Sequence, residues 1–361
     1  MTDRDIDLVL ITGAGASCAF GNSNTGGSPT LPLMAEWSDI LVRELRKGIN
    51  TLEALVGLEQ GLDGPEFEKR LGEFLTLASY FPNTTRLVEL PPTAHVAADT
   101  RADELRKWHS SIQGAMISAV NVIHQSLVDN FGWDRIDGYA AREAYTRLFQ
   151  FIGMSGSSKM VYATTNYDYL GELALDEMGR RPDNGIRRKV TEPGVYGPAV
   201  IDVENLVETV GRLPVLHLHG GVGWYEKEGQ GPTIVGQKHH DSAWGVPLVM
   251  LPSTSKSYKD NSTIQATWQE FHKALRRARL VVVLGHSLND SALLSALMQE
   301  IETFGQVVIS VLDASKLEVS IEAAQAQLSG CHLWEKRFDR NVAFSVDERR
   351  MWREWTAQFH E

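Results

Sequence analysis

Short runs of consecutive apolar residues alternate along the chain with segments in which apolar positions recur every three or four residues. Asp7 to Thr12 is the first apolar run, and it ends in a glycine turn. Because both of its faces are hydrophobic, it predicts a buried strand of a parallel sheet. Further strands are predicted at Lys159 to Thr165, Pro214 to Leu218, Leu280 to Leu284 and Gln306 to Leu312. Asp290 to Phe304 predicts a crossover helix, so the pattern indicates an α/β fold with a Rossmann-like doubly wound parallel sheet.

Between the first two predicted strands, the apolar residues keep a helical spacing. Helices are predicted over Glu36 to Lys47, Pro65 to Tyr80, Arg101 to Asn130 and Tyr139 to Ile152. We therefore expect a Rossmann-like domain formed by residues 1–35 and 155–361, and an all-helical insertion domain formed by residues 36–154. Two segments rich in glycine, proline and polar residues, Arg181 to Arg212 and Trp224 to Tyr258, are expected to be long loops over the pocket.

Composition and charge exclude several classes of protein. No stretch reaches the roughly 18 to 20 apolar residues of a membrane span, and the acidic N-terminus lacks the features of a secretory signal, so we expect a cytoplasmic protein. The only cysteines, Cys18 and Cys331, are too few for a disulfide framework or a four-cysteine zinc site. A formal net charge of −11 argues against direct nucleic-acid binding.

A glycine-rich turn follows the first predicted strand. Its residues are Gly13, Ala14, Gly15, Ala16 and Ser17. Glycines let backbone amides approach a phosphate, and the N-terminus of the following helix adds a partial positive charge. The third glycine of the usual dinucleotide fingerprint is missing, so a merely structural turn is the alternative.

Polar residues also follow the second strand, where Thr165, Asn166 and Asp168 lie close together in the sequence. The carboxyl edge of a parallel strand is where ligands bind in open α/β sheets. The amide of Asn166 can both donate and accept, which suits a ribose hydroxyl or a water. Alternatively, Asn166 starts an Asx turn and Asp168 caps the helix predicted over Tyr169 to Met178.

Two histidines stand at the end of the strand Pro214 to Leu218. His219 precedes two glycines, and an imidazole there can take a proton from a ribose hydroxyl or a water. Strand alternation places His217 and His219 on the same side, so spacing does not choose between them, but the position at the tip favours His219. The adjacent His239 and His240 point apart on regular backbone, so we predict no metal site.

A second turn, made of Gly285, His286 and Ser287, closes the strand Leu280 to Leu284. It repeats the features of the first turn, with Ser287 as a donor to phosphate or ribose. For Asp290 we favour capping of the following helix. Asp313 stands at a strand end where a carboxylate could accept from an adenosine ribose, although a turn residue is equally consistent.

Together and in this order, these four motifs resemble the sirtuin superfamily, and specifically its divergent bacterial branch found in antiphage defence systems. The resemblance covers Asp7 to Pro32 and Lys159 to about Asp313. In that family the first turn binds the NAD pyrophosphate, an asparagine and a histidine act at the nicotinamide ribose, and the later turn contacts the adenosine side. By resemblance, these roles fall on Ala14, Gly15 and Ser17, then on Asn166 and His219, then on Gly285 and Ser287.

Protein-deacylating sirtuins resemble the chain at this pocket, but they carry a four-cysteine zinc module and a glutamine where this sequence has Thr165. We therefore expect NAD⁺ as a substrate and no zinc. The resemblance implies an NAD⁺ glycohydrolase in which Asn166 positions water, His219 acts as base or ribose orienter, and Asp168 is a weaker candidate for electrostatic stabilisation. An ADP-ribosyltransferase, a residual deacylase and a noncatalytic nucleotide-sensing subunit stay open as alternatives.

The resemblance also implies a biological role, in which infection triggers NAD⁺ depletion and growth arrest under the control of assembly or a partner. Related proteins work with a DNA-translocase-type ATPase, an Argonaute-like protein or a fused sensor domain. The segment after Asp313 looks too short for a whole sensor, so we expect a homo-oligomer or a separate partner. The helical insertion, with its long element from Arg101 to Asn130, is the expected interface.

Overall fold

The computed structural model describes residues 5–13, 139–153, 159–192, 195–226, 234–235, 246–250, 261–286, 288, 290–304, 307–310, 331–334 and 345–357, with residues 16, 43, 66, 69 and 70. The chain divides into two compact units. The first consists of Met1–Leu31, Ser126–Met250 and Tyr258–Glu361, and the second of Pro32–Gln125 and Leu251–Ser257. Every element named below belongs to the first unit.

The strands in chain order are β1 (Ile6–Thr12), β2 (Met160–Thr164), β3 (Pro182–Asp183), β4 (Ile186–Glu192), β5 (Val195–Ile201), β6 (Leu213–His217), β7 (Gly220–Glu226), β8 (Ile234–Val235), β9 (Val246–Val249), β10 (Ala278–Leu284), β11 (Val307–Ser310) and β12 (Cys331–Trp334). The helices are α1 (Tyr139–Phe151), α2 (Leu170–Glu177), α3 (Ser262–Arg277), α4 (Ser291–Phe304) and α5 (Val346–Ala357), and a 3₁₀ turn spans Leu206–Glu208. None of the helices in the described ranges combines the length and hydrophobicity needed to cross a bilayer.

Seven strands form one sheet in the order β12-β11-β10-β1-β2-β6-β3, and all neighbouring strands run parallel. The order reverses at β1, because β2 and β6 lie on one side of it and β10, β11 and β12 on the other. In doubly wound sheets such a reversal opens a crevice at the carboxyl ends of the strands, where ligands bind. The predicted Rossmann-like α/β fold is therefore confirmed.

The central strands are apolar on both faces because both faces are covered. Every residue of β2 and β6 is buried, and a core cluster joins β1 and β10 to α3. Helix α3 contributes an apolar stripe of Ile264, Trp268, Phe271 and Leu275, all buried. Its N-terminus is capped by Asn261, whose side-chain oxygen accepts from the Ile264 amide at 2.9 Å. This helix was not among the predicted elements.

The two segments expected to be long loops contain strands instead. Within them and beside them, β4, β5, β8, β7 and β9 form a second sheet in that order, with antiparallel neighbours. The loop prediction for Arg181 to Arg212 and Trp224 to Tyr258 is therefore wrong for the residues in these strands. Their glycines and charged residues weaken the apolar pattern, while pairing with neighbouring strands fixes the extended backbone.

Helix α1 agrees within one residue with the helix predicted over Tyr139 to Ile152, and it packs on the seven-stranded sheet. The rings of Phe149 and Tyr162 meet edge to face with centroids 5.6 Å apart, and Arg142 forms an ion pair with Glu177 of α2. Although our proposed insertion at 36–154 includes α1, the helix belongs to the first unit. The boundaries of the insertion stay a prediction, and most of its helices lie outside the described residues.

Candidate active site

The four sequence motifs lie side by side along one edge of the sheet, because β10, β1, β2 and β6 are consecutive neighbours. Backbone hydrogen bonds continue past the strand ends and connect the motifs. The Gly13 amide donates to the Leu284 carbonyl at 2.9 Å, and the Thr165 amide donates to the Thr12 carbonyl at 3.0 Å. The Leu218 amide donates to the Thr164 carbonyl at 2.9 Å. The strand order therefore makes one continuous site from segments far apart in sequence.

The first and last motifs touch at Gly13. A Cβ at this position would lie 2.7 Å from the Gly285 carbonyl oxygen and 2.8 Å from the His286 Cα, so only glycine fits without a backbone shift. The Ala16 amide donates to the Gly13 carbonyl at 2.9 Å and begins the following helical turn. The remaining predicted nucleotide-binding residues, Ala14, Gly15, Ser17, Ser287 and Asp313, lie outside the described residues, so their roles stay predictions.

Three buried hydroxyl groups form a chain of hydrogen bonds that ends at the backbone amide of Asn166. The Tyr162 hydroxyl and Thr12 Oγ1 are 2.8 Å apart, Thr12 Oγ1 donates to Thr164 Oγ1 at 3.1 Å, and the Asn166 amide donates to Thr164 Oγ1 at 3.0 Å. Thr165 Oγ1 donates weakly to the Thr12 carbonyl at 3.5 Å. Burial raises the pKa of Tyr162 well above its ordinary value, so its hydroxyl keeps the proton that this chain requires.

Asp168 lies just before α2, and its Oδ1 accepts from the Leu170 amide at 2.9 Å. Tyr169 occupies the N-cap position of α2 and forms no side-chain cap, so the Asp168 contact is an Asx turn and not the helix cap that was the alternative. The carboxylate is buried, and its charge contributes to the raised pKa of both Tyr162 and His217. A direct catalytic role for Asp168 stays a prediction.

His219 forms a buried pair with Asp290, whose Oδ2 lies 2.7 Å from the His219 Nε2. The other carboxylate oxygen of Asp290 accepts from the Ala292 and Leu293 amides at 3.0 and 3.2 Å, at the N-terminus of α4. Hydrogen bonds and the helix dipole both favour the ionised carboxylate. An ionised Asp290 accepts the proton carried on Nε2, which fixes the tautomer and orientation of the ring.

Sequence reasoning missed this second role of Asp290 because a cap is a local feature, whereas the contact with His219 spans 71 positions. A usable signal was present in the sequence. Asp290 follows the Gly285 turn and precedes α4, so it stands at the same edge of the sheet as the other strand-end motifs.

The backbone around His219 is held by neighbouring elements. Trp268 Nε1 of α3 donates to the Leu218 carbonyl at 3.0 Å, and the His219 carbonyl accepts from the Met250 amide at 2.9 Å. The next residue, Gly220, has a φ of +82°, and a Cβ there would lie 2.2 Å from the Leu248 carbonyl oxygen. These contacts hold the backbone that carries the His219 imidazole in one conformation.

His217 has different partners from His219, although both leave the same strand end. Its Nε2 lies 3.0 Å from Glu172 Oε2, and its Nδ1 lies 3.4 Å from the Asn166 carbonyl oxygen. Burial lowers the pKa of His217, but the charge and hydrogen bond of Glu172, helped by Asp168 and the Asn166 carbonyl, outweigh it and raise the pKa. The structure thus separates the two histidines that sequence spacing could not.

His286 closes its own turn, since its Nδ1 accepts from the Leu288 amide at 2.8 Å. Leu288 has a φ of +59°, a left-handed conformation that costs free energy outside glycine. The tight turn brings the His286 backbone against Gly13. Within the described part of the chain, His, Cys, Asp and Glu side chains form no group of three that could hold a metal ion.

A family model described as a SIR2-like domain matches residues 160–333, which include Asn166, His219 and Asp290. No curated protein matches the chain in sequence.

Solved structures that resemble the chain include a Sir2 homologue in complex with NAD, at 12% identity over 98% of this chain and 89% of that chain, with a TM-score of 0.39. Another is Sir2Tm bound to a propionylated peptide, at 11% identity over 97% of this chain and 93% of that chain, with a TM-score of 0.37. The chain therefore contains a segment, residues 160–333, that is similar to a SIR2-like domain.

Proposed function

We propose that this protein is an NAD⁺ glycohydrolase, which cleaves NAD⁺ to nicotinamide and ADP-ribose. A SIR2-like domain supports an NAD⁺-utilising activity in general. The observation that carries the more specific proposal is the buried pair of His219 and Asp290, joined at 2.7 Å at the same sheet edge as Asn166. An imidazole oriented by a carboxylate is suited to take a proton from water or from a ribose hydroxyl.

The turns that meet at Gly13 lie at the sheet edge where ligands bind in doubly wound folds. Gly13 itself is required by packing, since a Cβ there would meet the backbone of Gly285 and His286. We assign the pyrophosphate to the turn that begins at Gly13, together with Thr165, and the adenosine side to the turn that begins at Gly285. Asn166 and His219 then face the nicotinamide ribose.

The proposed reaction breaks the bond between C1′ of the ribose and the nicotinamide nitrogen. Nicotinamide leaves with the bonding electron pair, the oxygen of a water molecule bonds to C1′, and the proton of that water passes to His219. Asp290 stabilises the imidazolium that results. Asn166 positions the water and the ribose hydroxyls, and the fixed dipoles of the strand ends stabilise the cation-like transition state.

Water is preferred as the acceptor because the chain lacks residues that acyl transfer uses in related proteins. Its two cysteines are too few for a four-cysteine zinc module, and Thr165 stands where the deacylating relatives have glutamine. These features support hydrolysis over transfer of an acyl group from lysine.

We further propose that NAD⁺ depletion is the effector step of an antiphage defence system, as the resemblance of the four motifs implies. An enzyme that consumes the cellular NAD⁺ pool has to be restrained in healthy cells, so assembly into a homo-oligomer or binding of a partner would control it. Infection of bacteria that carry this gene with its neighbours tests the idea. Cellular NAD⁺ should fall after infection with the wild-type gene and stay constant with His219→Ala.

Incubation of the protein with NAD⁺ labelled on the adenosine side tests the chemistry, across a range of protein concentrations and with the products of neighbouring genes. Nicotinamide accompanied by free labelled ADP-ribose supports hydrolysis. Label attached to protein shows that a side chain is the acceptor and overturns the proposal in favour of an ADP-ribosyltransferase. Binding of NAD⁺ without release of nicotinamide under every condition overturns it in favour of a nucleotide-sensing subunit.

A further inference from the structure

We propose that His217 is a positioning residue, an imidazolium that stays charged and holds the main chain of Asn166 in place for the reaction at the nicotinamide ribose. This role rests on the proposed function, and it concerns a residue outside the catalytic pair of His219 and Asp290. The inference comes from the oxygen atoms that surround the His217 ring.

Both nitrogens of the His217 ring face oxygen acceptors. Nε2 lies 3.0 Å from Glu172 Oε2, and Nδ1 lies 3.4 Å from the carbonyl oxygen of Asn166. A neutral imidazole carries a single N–H, so it can satisfy only one of these two acceptors. The imidazolium carries both protons and satisfies both, which makes the charged ring the species that fits this position.

The surroundings of the ring favour the same species. Glu172 comes from α2, and its second carboxylate oxygen accepts from Asn184 Nδ2 at 2.7 Å. Asp168, just before α2, adds a second negative charge. The rings of Tyr169 and Trp224 pack against the imidazole at steep angles, with centroids 5.2 and 5.5 Å away, and exclude water from it.

Among the described residues, the Tyr169 hydroxyl is a further ionisable group that packs on His217, and it stays neutral. It accepts from Trp224 Nε1 at 2.9 Å, and burial raises the pKa of Tyr169 well above its ordinary value. For His217 itself, the attraction of Glu172 exceeds the penalty of burial, so the pKa is raised. A histidine that retains its proton in this way cannot serve as the base, which leaves that role to His219.

Asn166 is consequently fixed through both of its backbone polar groups. Its amide donates to Thr164 Oγ1 at 3.0 Å, and its carbonyl accepts from His217 Nδ1 at 3.4 Å. With both groups committed, the backbone dihedral angles of Asn166 are constrained, and so is the direction in which its side chain leaves the turn. A shift of about 1 Å in a positioning group can cost about 100-fold in rate.

A spectroscopic experiment tests the charge independently of any activity. Protein labelled with ¹⁵N at histidine is studied by side-chain ¹H–¹⁵N correlation from about pH 6 to about pH 8, the range in which an ordinary histidine loses its proton. The His217 signals are identified by their loss in His217→Gln. We expect imidazolium shifts at both nitrogens throughout, and neutral shifts at about pH 8 in Glu172→Gln. A neutral His217 in the wild type at about pH 7 overturns the inference.

A kinetic experiment tests the positioning role. The double variant His217→Phe with Glu172→Gln keeps an aromatic ring and leaves no unpaired buried charge. We expect its kcat to fall 10- to 100-fold, while its Kd for ADP-ribose stays within about twofold because the glycine turns are intact. A wild-type kcat in a folded double variant contradicts the positioning role. If the wild type releases no nicotinamide, the proposed function fails, whereas the NMR result still decides the charge of His217.

Discussion

Gly13 and Gly285 meet where β1 and β10 end, and a Cβ on Gly13 would lie 2.7 Å from the Gly285 carbonyl oxygen. These two strands flank the point at which the order of the parallel sheet reverses. The contact therefore joins the glycine turn after β1 to the turn after β10. It also means that the shape of the crevice depends on the absence of a single methyl group.

Gly13→Ala is expected to disturb the pocket through this contact. The added methyl has to displace backbone, and overpacking of this kind costs about 1–3 kcal/mol. Because the displaced backbone belongs to the two turns that we propose bind NAD⁺, we expect NAD⁺ affinity to weaken about tenfold or more, as isothermal titration would measure.

Gly179→Ala is the matched control, since a Cβ there meets nothing within 4 Å. Gly179 has a φ of +75°, so alanine costs about 1–2 kcal/mol of stability through backbone strain alone. The affinity for NAD⁺ should be unchanged in this variant. Equal losses of affinity in the two variants would show that general destabilisation, and not the contact between the turns, is responsible.

Asp290→Asn separates the two roles of this carboxylate. Asparagine still caps α4 through its side-chain oxygen, but it cannot stabilise a charged His219 as a carboxylate does. We expect nicotinamide release to fall 10²- to 10⁴-fold, the usual contribution of general base catalysis. Thermal unfolding should change little, because asparagine and aspartate are comparable helix caps.

Asp290→Ala removes the cap as well and should cost about 1 kcal/mol more stability than Asp290→Asn. Asn261→Ala provides the comparison, because Asn261 caps α3 and has no contact with His219 among the described hydrogen bonds. It should lose similar stability and keep its activity. Near-wild-type turnover in Asp290→Asn would rule out the carboxylate as the group that orients the base.

Trp268→Phe tests the support of the His219 backbone. The change keeps an aromatic ring, although a smaller one, and removes the hydrogen bond from Nε1 to the Leu218 carbonyl, which is worth about 0.5–1.5 kcal/mol. Because Leu218 directly precedes His219, we expect kcat to fall as well. Trp352→Phe is the control, since Trp352 is buried against Phe151 with ring centroids 5.4 Å apart. An equal effect on kcat in both variants would show that the hydrogen bond from Trp268 does not position His219.

The stability of the protein should depend on the protonation of His217. Its pKa is raised in the folded state from the ordinary value of 6.5, so its contribution to stability is complete below pH 6.5. That contribution is lost as the pH rises through the raised value. Urea unfolding from about pH 6 to about pH 9 should show the free-energy advantage of the wild type over His217→Gln shrinking. A constant or growing advantage would contradict the ion pair.

The seven-stranded sheet could be predicted from sequence because its central strands are buried on both faces. A run such as Val281 to Leu284 has no polar position, and a glycine marks its end. Helix α3 has the apolar spacing of a helix at Ile264, Trp268, Phe271 and Leu275. It was not predicted because the long segment before it has no regular spacing of apolar residues. The second sheet depends on pairing between distant segments, and β8 is only two residues long, too short for any period.

The site residues could be proposed from sequence because they follow strand ends, and that position is local. The hydrogen-bond partners of these residues could not be predicted, because the paired residues are far apart in the sequence. The contact between His219 and Asp290, and that between His217 and Glu172, each depend on the order of the strands in the sheet. Because the strand order gives His217 and His219 different partners, their position on the same side of one strand did not reveal their different roles.

If the pair of His219 and Asp290 drives hydrolysis of NAD⁺, wild type and His219→Ala should differ in the amount of product that they form. Nicotinamide and free ADP-ribose are quantified by chromatography over a protein concentration series and with the neighbouring gene products, alongside a binding measurement. We predict equimolar products from the wild type and a fall of 10²-fold or more in His219→Ala, which still binds NAD⁺. Equal product formation by both proteins, or none by the wild type under any condition, would show that His219 does not catalyse hydrolysis of NAD⁺.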